Sequence, residues 1–270
     1  MTSLFNRLIS FVLLATLVAA CSTTPTGRAQ LTMKSDAALA QEASRQLAII
    51  RANAPLVQDR ATIDYVSCVA NSLVSVLEGE DAALYWEMAI VNQPEVNAFV
   101  MPGGKIVVKS GILSVAENQH QLAAVLGHEV AHVTAHHANE RMSRAELTSY
   151  GVDVVALILG GGYSNQTAGA YGAADTLSTL GVMNPFTRMQ ESEADVIGLK
   201  YMAMAGFDPR ESVKLWQNMN SSEKTAKVPE FLSTHPSGDT RIELMVENLP
   251  EMLALYNEAQ AQGRYPDCQR

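Results

Sequence analysis

Gly127-His128-Glu129-Val130-Ala131-His132-Val133-Thr134-Ala135-His136-His137 decides how the rest of the chain is read. On a helix, at about 100° per residue, His128 and His132 stand about 40° apart with Glu129 on the same flank. Two imidazoles can then grip one metal ion while a carboxylate reaches a water on it, which is the kit for hydrolysis on Zn²⁺. Leu122, Val125, Leu126, Val130 and Val133 supply the apolar stripe of a buried helix over residues 118–138. His136 lies about 80° round and about 12 Å along from His128, so it shares the metal only if the helix stops and folds back. Val133-Thr134-Ala135 offers no glycine for such a stop, and the helix is expected to continue. His136 and His137 are therefore assigned to structure or surface, His137 on the side opposite His128. His120 sits ahead of the motif without a nameable partner.

Working outward, Met189-Gln190-Glu191-Ser192-Glu193-Ala194-Asp195 supplies acidic groups, and helical phase separates them. Glu191 and Asp195 share a face, whereas Glu193 lies about 160° from both. Glu191 is the expected third metal ligand. Asp195 is placed to accept the free N–H of a ligating histidine, fixing its tautomer and raising its basicity.

Upstream, residues 37–51 and 61–77 carry helical patterns, the second with Ile63, Val66, Val69, Leu73 and Val76. Residues 84–91, 97–101 and 105–109 read as strands, with Pro102-Gly103-Gly104 as the turn between the last two. They predict a small, mostly antiparallel sheet. Residues 143–188 are helix-prone but loosened by Gly160-Gly161-Gly162, and the apolar run 154–159 is read as buried helix or a flap near the cleft. Helical patterns follow at 188–205, 209–219 and 239–249, with Pro250 ending the last or starting another. The fold class is α+β, mainly helical.

The first twenty residues read as a signal peptide: Arg7, an apolar run over 8–20, then Leu17-Val18-Ala19-Ala20-Cys21, which resembles a bacterial lipobox. Cys21 is the expected lipidated residue. Residues 21–32 are polar and read as a flexible tether, 33–260 as one domain and 261–270 as a C-terminal tail. Ser22 is not the aspartate associated with inner-membrane retention, so a periplasmic protein anchored to the outer membrane is expected. In that oxidising compartment Cys68 and Cys268 are candidates for a disulfide across a loop of about 200 residues, contributing about 3–5 kcal/mol. A net charge of −9 with pI near 5.1 leaves no basic stripe for phosphates and excludes nucleic acid as a partner.

The runs NAFVMPGGKIVVKSGIL at 97–113, HEVAH at 128–132, ESEAD at 191–195 and THPSGDTRI at 234–242, in this order, resemble the family 48 zinc metallopeptidases over most of residues 60–250. The resemblance implies a gluzincin-type fold: an active-site helix, a small sheet whose edge strand borders the cleft, and a second helix bringing Glu191. It implies one Zn²⁺ per chain on His128, His132 and Glu191. The edge strand, including Asn97, Ala98, Phe99, Gly103 and Gly104, would pair with an extended substrate; a plain core strand would show the same alternation. His235 matches a histidine that caps the zinc at rest or steadies the oxyanion, and Arg241 an arginine that pairs with a buried carboxylate.

The function expected is a zinc endopeptidase acting on unfolded or misassembled envelope proteins, with Glu129 activating the water. The rival is a chaperone-like assembly lipoprotein for outer-membrane proteins, its zinc site latched by His235. A zinc-stabilised binding module would leave Glu129 idle.

Overall fold

Residues 87–109 are apolar at most positions, and the sheet they form in the computed structural model is buried on both faces. The structure describes residues 21–149, 186–223, 230–235 and 239–270; the expected signal peptide, the triple glycine and the run 154–159 lie outside them. β3 (Glu87–Val91), β4 (Ala98–Met101) and β5 (Lys105–Lys109) lie in the order β3-β5-β4. β5 runs antiparallel to β4 and parallel to β3, and β4 forms one edge. Alternation divides the strands: Ile90, Ala98, Val100, Ile106 and Val108 enter the main core, while Ala89, Val91, Phe99, Met101 and Val107 meet Ala43 and Leu47 of α1 (Asp36–Asn53).

α2 (Arg60–Val74), capped by Asp59, packs on the main-core side with α3 (Gln119–Thr134). α3 starts at Asn118, whose side chain accepts from the N–H groups of His120 and Gln121. α5 (Arg188–Met204) starts in a capping box between Thr187 and Gln190. Two glycines set how closely α3 and α5 approach: a Cβ on Gly198 would stand 2.8 Å from His128 N, and one on Gly127 3.0 Å from Gly198 O. That approach carries the carboxylates of α5 to the histidines of α3.

α3 does not continue past the motif. It ends at Thr134, His136 turns through φ 50°, and α4 (His137–Ser149) begins at the next residue. Histidine is among the residues enriched at positive φ, so the stop needed no glycine. The break also moves His137 out of the phase an unbroken helix gives it.

α6 (Arg210–Glu223) and α7 (Glu230–Thr234) precede α8 (Asp239–Ala261), which runs through Pro250 rather than ending or restarting there. The carbonyl that Pro250 cannot serve belongs to Val246, a residue 49% exposed, so water can take the missing bond. Residues 21–32, expected as a flexible tether, instead form a hairpin of β1 (Cys21–Thr23) and β2 (Ala29–Leu31), with Gln30 and Leu31 buried. Arg28 of that hairpin pairs with Glu140 and Glu193, partners over 100 residues away that composition cannot reveal. Cys68 and Cys268 form a disulfide, Cα to Cα 5.7 Å, tying the C-terminal tail to α2. Among the described residues no helix is long and apolar enough to cross a membrane.

Candidate metal centre

α3 supplies His128 and His132, α5 supplies Glu191, and His235 follows α7; all four are buried, with one donor atom of each within 4.8 Å of the others. His128 Nε2 lies 3.0 Å from His132 Nε2 and 3.1 Å from His235 Nδ1. Glu191 Oε1 lies 3.0 Å from His235 Nδ1 and 3.5 Å from His132 Nε2. Tetrahedral ligands about 2.0–2.1 Å from zinc stand about 3.3 Å apart, so this spacing suits the ion.

Hydrogen bonding reserves the donors. His128 Nδ1 lies 3.0 Å from Asp195 Oδ1, so a neutral His128 keeps its proton there and turns a lone pair from Nε2 into the cluster. Glu191 Oε2 is buried without a well-directed hydrogen bond, although Arg241 Nη1 is 2.8 Å away. Arg241 also binds Asp195 through Nε at 2.6 Å and Nη2 at 2.7 Å, with its guanidinium 4.1 Å over the Trp216 ring. Burial opposes a charge on His128, but Asp195 and Glu191 outweigh it and lift its pKa to about 9. Burial pushes His132 well below its ordinary value and raises the Glu129 carboxyl. Burial would raise Glu191 too, but His235, His128 and His132 hold it well below the carboxylate range.

The model of peptidase family M48 matches residues 61–248. The chain belongs to peptidase family M48. It is 36% identical over 233 residues, 85% of its length, to mitochondrial metalloendopeptidase OMA1 of Schizosaccharomyces pombe, and covers 64% of that protein. It is 33% identical over 200 residues, 72% of its length, to the beta-barrel assembly-enhancing protease of Yersinia pestis, covering 40% of it. Human OMA1 is 34% identical over 185 residues, 63% of this chain and 33% of that one. The chain thus spans less than two thirds of these relatives.

Around the M48 motifs a cavity of about 430 Å³ runs from Glu129, His132 and His235 to Asp36, Asp81 and His136, with Phe99, Val100, Pro102 and Gly103 on another wall. Of the five residues expected at the substrate edge, Phe99 and Gly103 line this cleft. Asn97 and Ala98 are buried, Ala98 in the main core, and Gly104 turns against Trp86. The Pro102-Gly103-Gly104 turn needs its glycines: both have φ above 70°, and a Cβ on Gly103 would stand 2.4 Å from that of Ala40.

Several residues escaped the sequence reading. His137 is buried against His132, Nδ1 to Nδ1 2.8 Å, and against Glu193 at 3.1 Å. The paired histidines after HExxH were the available signal, hidden by the assumption of an unbroken helix. Phe231 stacks with His235 at 4.4 Å between ring centroids and Phe186 with His132 at 3.9 Å; single aromatics in unpatterned stretches carry no signal. His136 sits half-exposed on the cleft wall, 3.5 Å from Asp36. His120 Nδ1 accepts from the Asp208 N–H and meets Phe207 edge to face, a structural role.

Proposed function

We propose that this chain is a zinc-dependent endopeptidase whose resting site is closed by His235. The observation that carries the reading is the fourth donor: His235 Nδ1 joins His128, His132 and Glu191, while its Nε2 lies 3.2 Å from Glu129 Oε1. Zinc, when bound, polarises the scissile carbonyl and lowers the pKa of a water to about 7. Glu129, its carboxyl raised by burial, is the group that would take a proton from the attacking water and hand it to the leaving amine. Asp195 holds the His128 tautomer, and Arg241 balances the charge of Asp195 and Glu191. Phe99 and Gly103 lie along the cleft where an extended peptide would pair with β4, which favours unfolded chains as substrates. For catalysis His235 would have to move away from His128, His132 and Glu191, a movement that would also free Glu129.

The substrates are envelope proteins that are unfolded or misassembled, and the chain acts in the periplasm from a lipid on Cys21. The lipobox-like segment and the name of the bacterial relative support this reading; the OMA1 relatives carry it only as far as metalloendopeptidase. The assembly-lipoprotein alternative draws its support from the same closed site. Glu129→Gln separates the two: it should retain one zinc per chain and lose cleavage of casein, and undiminished cleavage would refute the peptidase. Replacing His235 with Ala should raise cleavage if it is a latch; a fall would assign it to the chemistry instead.

A further inference from the structure

We propose that the N-terminal hairpin, acting through Arg28, is a positioning element for the metal-binding histidine His132. The inference rests on the metal site proposed above and concerns the side of it remote from His128. With His132 Nε2 turned into the donor cluster, its proton is on Nδ1, 2.8 Å from His137 Nδ1. His137 must accept there, which places its own proton on Nε2, 3.1 Å from Glu193 Oε2. Glu193 Oε1 accepts from the hydroxyls of Thr24 and Thr26, and Oε2 from Arg28 Nε at 2.7 Å. The same guanidinium grips both oxygens of Glu140 through Nη1 and Nη2, at 2.8 and 2.9 Å. Gln190 Nε2 closes the network on Glu140 Oε2 at 2.9 Å.

The two ligating histidines are thus oriented by different means. Asp195 bonds His128 directly, whereas His132 leans on a neutral imidazole that could equally present an N–H if its own proton were not fixed by Glu193. Glu193 keeps that place because Arg28, 16% exposed, lies between it and the fully buried Glu140. Removing the guanidinium would leave two buried carboxylates without their common cation, and Glu193 would turn toward water. All three hairpin contacts come from the turn that joins β1 to β2, within seven residues of Cys21. The hairpin is therefore linked to His132 through Glu193 and His137.

The test uses the full chain loaded with zinc and titrated against a chelator. Arg28→Met and Glu193→Gln should weaken zinc binding about 10–100-fold, and Arg28→Lys should recover part of the loss. The d–d spectrum of the cobalt-substituted protein should shift in the first two, a readout that general destabilisation does not move. Arg60→Ala, which breaks an exposed pair with Asp64, should leave both unchanged. If Arg28→Met fails to fold, the double variant Thr24→Val, Thr26→Val removes two Glu193 bonds without touching a charge, and decides the matter the same way. Zinc affinity within twofold of wild type in the folded variants overturns the proposal. A wild-type chain that binds no zinc overturns it together with the metal-site reading beneath it, so the two failures are distinguishable.

Discussion

Arg241 lies buried among Asp195, Glu191 and Glu129 and pairs directly with the first two. Replacing it with methionine leaves those carboxylates buried without the guanidinium that pairs with them, a change that costs about 3–5 kcal/mol. Denaturant unfolding of Arg241→Met without metal should show a loss of that size, and a loss below about 1 kcal/mol would contradict the account. A second pair answers to pH. The hydrogen bond to Asp36 raises His136 above its ordinary 6.5, and the same contact lowers Asp36 below its ordinary 3.8. The raised histidine adds stability that is full below 6.5 and disappears as pH rises through its folded value; the lowered aspartate adds stability that disappears as pH falls below 3.8. Both side chains are well exposed, so the gain is screened to under about 1 kcal/mol. The Tm of His136→Gln should therefore fall further below wild type at pH 5 than at pH 9, and equal gaps would remove the pair from the account.

Elements were legible where one period governed the residues. Helical phase puts Glu191 and Asp195 on one face and Glu193 on another, and on α5 Glu191 and Asp195 reach the histidines of α3 while Glu193 faces the hairpin. The same reasoning failed on α3, because His136 breaks the period and brings His137 back against His132. Phase arguments hold only as far as the helix does. The hairpin escaped for a different reason: its stability comes from Glu140 and Glu193, whose sequence distance hides them. The approach of α3 to α5 was also invisible, since a glycine in a helical pattern reads only as a weak position. It carries its own prediction. Alanine at 198 gains about 1 kcal/mol of helix propensity, but its Cβ meets backbone atoms of Gly127 and His128 at 2.8–2.9 Å, which cannot swing aside. Overpacking costs about 1–3 kcal/mol and should prevail, so Gly198→Ala should be less stable than wild type and bind zinc more weakly by chelator competition. A more stable variant with unchanged zinc affinity would show that the helices have room to separate.

At the scale of the whole molecule, the N-terminal hairpin and the C-terminal tail are fastened by unlike means. The hairpin is held by Arg28 and its threonines, on the side of His132. The end is held by Cys268 on Cys68, with Arg270 Nη1 donating to the Leu113 carbonyl and the Cys268 N–H to Gln119 Oε1. Those last partners lie in the 3₁₀ turn before α3 and at the first residue of α3, so the tail braces the entry to α3. The bond closes 200 residues of sequence, and the entropy it removes from the unfolded chain is about 3–5 kcal/mol. Its effect on the native metal site is indirect, because Cys268 touches none of the four donors. Reduction, or Cys68→Ala with Cys268→Ala, should therefore lower unfolding stability by that amount while zinc affinity stays within a few-fold of wild type. A loss of zinc parallel to the loss of stability would instead mean that the tail holds the N-terminal turn of α3 in register, and that the disulfide belongs to the site as well as to the fold.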